Sequence, residues 1–377
     1  MGHTSVSAQP LSPSATTVGL PLPTDHLFES YLGSRRRSTV FEAYYRLKPA
    51  IPRRIQLAMR RAYAHKQAAR AFPAWPNEPL LLDRRDEQLR QRLDESAADR
   101  LACVGFWPDH RRFACVLTHD VEGPKGVDNI ERVLEVERRY GFVSSWNFVA
   151  EWYPIPEDMF DRVRAAGGEI GLHGIKHDGR MFESRERFEH DLHKMRGYFE
   201  SWGAVGFRSP ATHRNADWMP ELGCLYDSSF PDSDPFEPQP GGCCSIFPFM
   251  MGDVVELPIT LVQDHTLMEI LRQDTIDLWT RKTTWIAENH GLVNLITHPD
   301  YLVDRRHLDM YERFLEFLAR QADMWGALPR DVAGWWSSRE AMSVEDDGGE
   351  LRIAGDPSGR ASVAWAYDRD GKITFDL

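Results

Sequence analysis

No stretch of the 377-residue chain approaches the ~18 uninterrupted apolar residues that a membrane-spanning helix needs. A helical membrane span is therefore not expected. Cysteine is scarce: there are five, at 103, 115, 224, 243 and 244, and no two are spaced C-x-x-C. An odd, unpatterned handful argues against a disulfide framework or a thiolate zinc site and predicts a reducing compartment. The neighbours Cys243 and Cys244 read as packing residues. Basic charge is also in deficit, with 45 Lys and Arg against 57 Asp and Glu and a net charge of −12. Whole-chain binding to nucleic acid is thereby disfavoured, because neutralising phosphates requires excess Lys and Arg. The opening MGHTSVSAQPLSPSATTVGLPLPTD lacks a basic segment followed by an apolar one, so it does not read as a secretory signal. A cytoplasmic location is the expectation. Its Ser, Thr and Pro content predicts a flexible leader over 1–25.

What is present has ordinary globular composition, 42% hydrophobic and 27% charged. The length suits about two domains, or one barrel of ~250 residues with appendages. Residues 26–105 read as a basic, mainly helical extension. Within it, 31–70 carries eleven Lys and Arg and one acidic residue, Glu42, so the acidic excess lies elsewhere in the chain. Pro52 suits the first turn of a helix, and Ile51, Ile55, Met59 and Tyr63 recur every four residues along one face. Arg53, Arg54, Arg60 and Arg61 fall largely off that face. The favoured reading packs the apolar face on the acidic body and leaves the arginines solvated. The other reading lays a basic amphipathic helix on an anionic membrane surface, giving peripheral contact with the inner membrane face through 31–70. A proline-rich connector at 72–79 and a charged helix at 82–100 follow.

From 113 onward short apolar runs alternate with amphipathic helices. Strands are predicted at 113–118, 142–149, 169–173, 204–208, 254–258, 292–297 and 331–336. Helices are predicted at 128–140, 157–166, 188–199, 274–290 and 307–325. This alternation predicts an α/β fold of βαβ units, a closed or nearly closed (β/α) barrel of about seven strands over 106–340. LRIAG, ASVAWAY and KITFDL, separated by turn residues, predict a small β meander within 341–377.

The unusual polar residues fall at strand ends. Strand 113–118 runs into His119-Asp120-Val121-Glu122, and 169–172 into His173 and His177. Strand 204–207 ends at Arg208, and 292–297 at His298-Pro299-Asp300. In a parallel barrel these ends share one face, where active sites lie. Two histidines four apart, with a carboxylate from another strand, hold the donors for a divalent cation and leave positions open for water and substrate. A further carboxylate could act as general base, an arginine could keep it ionised, and a histidine opposite could protonate a leaving group. That constellation suits metal-assisted hydrolysis of an amide or ester. H-E-x-x-H is absent, which disfavours zincin-type proteolysis.

THDVE, HGIKHD, FRSP, YDSSFPD and LITHP, in that order, resemble the five motifs of the polysaccharide deacetylase (NodB-homology, carbohydrate esterase family 4-like) family. The resemblance covers about 113–300, extending towards 336. It implies a distorted barrel, often of seven strands. It also implies a zinc-like divalent metal and hydrolytic removal of acetyl groups from glycans. By the same resemblance Asp120 matches the general base, and His173 and His177 the metal-binding histidines. Arg208 matches the arginine that orients the base, and His298 the general acid. Asp227, in the fourth motif, matches a residue that shapes the groove and supports that histidine. The first motif departs from the family's adjacent aspartates, since Val121 follows Asp120. Glu122 is then the expected carboxylate ligand, with the exchange of roles between Asp120 and Glu122 as the alternative, together with a site that binds metal weakly or not at all. His119 should point to the opposite face of its strand from Asp120. Trp146, Trp152, Trp218 and Phe230 are candidates for an aromatic sugar platform, though aromatics mostly fill cores. His265, after Asp264, is a minor candidate for approaching the site.

The leading expectation is a deacetylase acting on an N-acetylated sugar in assembly of a surface polysaccharide, its substrate nucleotide- or lipid-linked. An amide hydrolase on a non-sugar substrate and a non-catalytic glycan-binding protein with a degenerate first motif are the alternatives.

Overall fold

The computed structural model describes residues 24–32, 52–96 and 98–377. The predicted leader up to residue 23, Ile51 and the basic stretch 33–50 lie outside them. Among the described residues no helix is long and apolar enough to cross a membrane. Helices α1 (Arg53–Ala68) and α2 (Leu80–Ser96) precede a short strand, β1 (Leu101–Val104). The organising strand is β2 (Phe113–Val121), buried at all nine positions. Such a run is accommodated only where both faces of a sheet are covered.

Strands β3 (Ser145–Phe148), β4 (Glu169–Leu172), β5 (Gly206–Phe207) and β6 (Tyr226–Asp227) follow β2 in parallel, each paired with the one before. The hairpin β7 (Phe249–Met251) and β8 (Val254–Glu256) ends this path, with β8 parallel to β6 and β7 antiparallel to β8. On the other edge of β2 lies β9 (Leu292–Thr297), also parallel. The sheet curls until the segment after β8 meets β9, where the amides of Thr260 and Leu261 donate to the Asn294 carbonyl at 3.2 and 3.1 Å. The predicted α/β barrel is thus a curled, incompletely closed one.

The helices form where the sequence supplies starts and stops. Pro124 opens α3 (Pro124–Tyr140), and Gly141 ends it at φ +76°. Helix α4 (Met159–Ala165) leads to β4. The Ser184 hydroxyl caps α5 (Arg185–Trp202) by accepting from the Arg187 amide at 3.2 Å. Helix α6 (Asp277–Glu288) precedes β9, and Asp304 caps α7 (Arg305–Ala319).

Three local expectations are corrected. The strand expected at 331–336 lies inside α8 (Pro329–Glu340), and the strand there, β10 (Met324–Gly326), comes earlier and pairs with the first residues of β2. Pro329 starts the helix, and Val332, Ala333, Trp335 and Trp336 bury one helical face instead of alternating. The C-terminal strands do not form one meander. Strands β11 (Ser343–Asp347) and β12 (Glu350–Ala354) make a hairpin, while β13 (Val363–Arg369) pairs with both β1 and β14 (Lys372–Asp376). Helix α2 covers that second sheet, Leu89 and Leu93 meeting Ala366 and Ile373. Lastly, α1 docks by the face not expected. Leu57, Ala64 and Ala68 pack with Phe236, Ile270 and Trp75, and Arg61 pairs with Glu269 at 3.1 Å. The small alanines allow the close approach, and Ile55, Met59 and Tyr63 are left about half exposed.

Packing is tight where β5 passes under Tyr226. A Cβ on Gly206 would lie 1.9 Å from the Tyr226 ring, and that ring is held by a 2.6 Å hydrogen bond to Glu169 and one of 3.1 Å with Ser145. Gly206→Ala should therefore cost about 1–3 kcal/mol in urea denaturation. Gly197→Ala, on α5 with open space around it, should instead stabilise by about 0.5–1 kcal/mol.

Candidate functional site

The alternation of β2 separates two neighbours. His119 faces the α3 side, stacked on Trp146 at 4.1 Å and held between Glu137 and Thr297, each at 2.7 Å. Asp120 faces the barrel interior and accepts 2.9 Å from Asn147, its register partner on β3. The chain then leaves the sheet and brings Glu122 round. Two anchors fix that turn. The Tyr153 hydroxyl donates to the Val121 carbonyl. The Asp300 carboxylate accepts from the amides of Glu122 and Gly126 at 3.0 and 3.1 Å. Gly126 is needed for this approach, since a Cβ there would sit 2.1 Å from Asp300 Oδ2.

His173 follows β4. Its Nδ1 lies 2.9 Å from the Arg208 carbonyl, placed to donate, which leaves Nε2 with a lone pair directed inward. Burial pushes the His173 pKa down to about 4, so the ring is neutral near pH 7. His177 stands four residues on, its Nε2 2.9 Å from Glu122 Oε1. His173 Nε2, although buried, has no hydrogen-bond partner, and His177 Nε2 meets only Glu122. The donor atoms of Glu122, His173 and His177 all lie within 4.8 Å of one another. Burial raises the Glu122 carboxyl pKa, but His298, His177 and His173 outweigh it and hold the group ionised. Two imidazole nitrogens and a carboxylate converging on one point fit a divalent cation.

Asp120 sits beside this set, its Oδ2 3.9 Å from His173 Nε2 and 3.8 Å from Arg208 Nη1. Burial disfavours its ionisation, yet His173, Arg208, His298 and the Asn147 amide together keep its pKa below the usual range. Arg208 is itself fixed by Thr118 and Ser228 at 3.1 and 3.0 Å. On the opposite side His298 Nε2 approaches Glu122 at 3.6 Å. Burial opposes its protonation, but Asp264, Glu122 and Asp120 raise its pKa to about 10. An ionised carboxylate and a protonated imidazole thus flank one donor set, an arrangement chemically able to take a proton from water and give one to a leaving group.

Asp264 was not anticipated. One oxygen meets His298 Nδ1 at 2.6 Å and the other accepts from the His298 amide at 2.7 Å. The role of supporting this histidine, expected of Asp227, is therefore filled by Asp264. Asp227 is buried at the end of β6, bonded to Ser229 at 2.6 Å and set beside Glu256, its register partner. Burial raises the pKa of both carboxyls, so they share a proton more readily than two charges. A hint of Asp264 lay in its neighbour His265, which stacks near Tyr301 at 5.0 Å. Asn147 and Asp300 were visible as polar residues in or after apolar strands. Of the aromatic candidates, Trp146 and Phe230 are fully buried and Trp218 packs on Phe188 at 5.5 Å, while Trp152 is exposed.

Residues 109–219 match the sequence profile of the polysaccharide deacetylase family. Members of that family are hydrolases acting on amide bonds. A Mycobacterium smegmatis protein assigned as a polysaccharide deacetylase superposes with a TM-score of 0.51 at 18% identity, over 62% of this chain and 93% of its own. A Pseudomonas aeruginosa PAO1 protein of the same assignment gives 0.46 at 17%, over 61% and 92%. An allantoinase gives the same values. No curated protein sequence matches the chain.

Asp300 carries the turn that presents Glu122. Asp300→Ala should weaken divalent-metal affinity by about 10- to 100-fold in a competition titration with a fluorescent chelator, with the far-UV spectrum unchanged.

Proposed function

We propose that the protein is a divalent-metal-dependent deacetylase that hydrolyses the N-acetyl amide of a sugar or glycan intermediate. The observation that carries this reading is the convergence of Glu122, His173 and His177, with the His173 Nε2 lone pair unpartnered, flanked by Asp120 and His298. This supports Glu122 over Asp120 as the carboxylate ligand. Zinc suits two imidazoles and one carboxylate. When bound, the cation would polarise the acetyl carbonyl and lower the pKa of water. Asp120, held ionised by Arg208 and His173, takes the proton of the attacking water at its Oδ2. His298, held as an imidazolium by Asp264, donates from Nε2 to the departing sugar nitrogen, so acetate and the free amine leave. Arg208 orients Asp120, and Asp227 braces the turn after Arg208 through Ser229, whose hydroxyl accepts from the Ser209 amide.

The substrate is proposed to be a nucleotide- or lipid-linked sugar in the cytoplasm, on the route to a surface polysaccharide. A lipid-linked substrate would bring the enzyme to the inner membrane face, and the basic segment 31–70 suits that location.

Elemental analysis should find close to one divalent ion per wild-type chain, lost in both His173→Ala and Glu122→Ala. Retention in Glu122→Ala would move the ligand role to Asp120, and no metal in the wild type after loading would overturn the reading. Metal-loaded Asp120→Asn should keep the ion and release acetate from acetylated nucleotide sugars about 10²- to 10⁴-fold more slowly. Asp264→Asn should keep the ion and shift the alkaline limb of kcat/KM to lower pH, because the imidazolium of His298 loses the carboxylate that raises its pKa.

A further inference from the structure

The outward face of α1 carries Ile55, Ala58, Met59, Ala62 and Tyr63, all exposed. Their spacing of three and four residues makes one continuous apolar stripe along the helix. The three large side chains are 51%, 48% and 50% exposed, which marks a surface built for a partner. Exposed Arg54 and Lys66 lie near the two ends of the stripe, and no acidic residue occurs between 43 and 70.

The opposite face is already occupied. Leu57, Ala64 and Ala68 pack on Phe236 and Ile270, Arg60 reaches the Phe236 carbonyl at 3.4 Å, and Gln67 reaches that of Pro235 at 2.8 Å. Arg61 joins the carbonyl and carboxylate of Glu269 in the single helical turn His265–Ile270. Asp264, immediately before that turn, holds His298. The stripe therefore belongs to the same end of the barrel as the candidate active site, one element away from the acid.

We propose that this face of α1 docks on an anionic lipid bilayer. The chain's own acidic body is not its occupant, because α1 meets that body with its other side. A second copy is disfavoured because pairing would oppose two helices that carry basic residues and no acidic ones. An anionic bilayer satisfies both requirements at once: the headgroup–acyl boundary accepts Ile55, Met59 and Tyr63, and the lipid phosphates attract the flanking Arg54 and Lys66. The acidic excess of the rest of the chain would turn the barrel's remaining surface away, leaving the site mouth near the membrane. Docking is independent of the deacetylase reading, since it needs no catalysis.

The test is flotation of the full chain with phosphatidylcholine vesicles containing about 30% phosphatidylglycerol, at low and high salt, with pure phosphatidylcholine as control. Co-flotation with the anionic vesicles only, reduced by salt, is expected. The surface variant Met59→Gln/Tyr63→Gln should lower partitioning about tenfold while thermal unfolding stays unchanged. Arg54→Gln/Lys66→Gln should weaken binding chiefly at low salt. Absence of flotation at low salt would overturn the proposal, as would flotation that the Met59/Tyr63 variant leaves intact. A concentration-dependent dimer dispersed by that variant would assign the stripe to a second copy and overturn it as well. Loss of flotation without loss of acetate release would leave the deacetylase reading standing, and the converse would leave the docking face standing.

Discussion

Two imidazole nitrogens and a carboxylate oxygen held within 4.8 Å of one another, one nitrogen without a hydrogen-bond partner, form an arrangement that a chain free to relax would disperse. A buried polar atom left unsatisfied costs roughly 1–3 kcal/mol, and His173 Nε2 incurs that cost. Most of the polar architecture around the site serves to hold this arrangement. The Arg208 carbonyl fixes the His173 ring, while Asp300 and Tyr153 fix the turn that carries Glu122. Asn147 and Arg208 then hold Asp120 alongside the set without being ligands themselves. The strained centre and the hydrogen-bonded frame around it are two parts of one device, since the rigidity of the second preserves the first.

The same sheet solves a charge problem by alternation and by layering. His119 and Asp120 are adjacent, yet one is sealed against Glu137 and Trp146 on the outside of β2 and the other opens inward. A layer deeper, Asp227 and Glu256 stand side by side with no cation bonded to them, and burial raises the pKa of both. Arg208, shared between this layer and Asp120, directs its positive charge at Asp120 and helps keep that carboxylate ionised. Environment, not residue type, thus separates carboxylates with different duties.

Much of this was legible in the sequence because the informative residues interrupt apolar strands at their ends. Asp120, His173, Arg208 and His298 each follow a run that reads as buried strand, and parallel topology brings those ends together. Asp264 was missed for the opposite reason. It lies in irregular chain after β8, and its contact with His298 spans 34 positions that no local period reports. The α1 helix shows a different limit. Its bulkier stripe drew the packing prediction, whereas the alanine-lined side allowed the closer approach and took the contact. Near the C-terminus, an apolar run with Pro329 at its head suited a helix start as well as a strand, and the helix prevailed.

The pairing of β1 with β13 has a consequence for how the molecule is made. A strand near residue 101 finds its neighbour only at residues 363–369, so in a chain emerging from the ribosome that edge stays open until residue 369 has been translated. Helix α2, which rests on β13 and β14, must wait as well. The barrel strands β2 to β6 close on much nearer neighbours, so the catalytic face can be assembled while the small sheet beside it is still a single exposed strand. Synthesis from one end builds the working part first and seals its flank last.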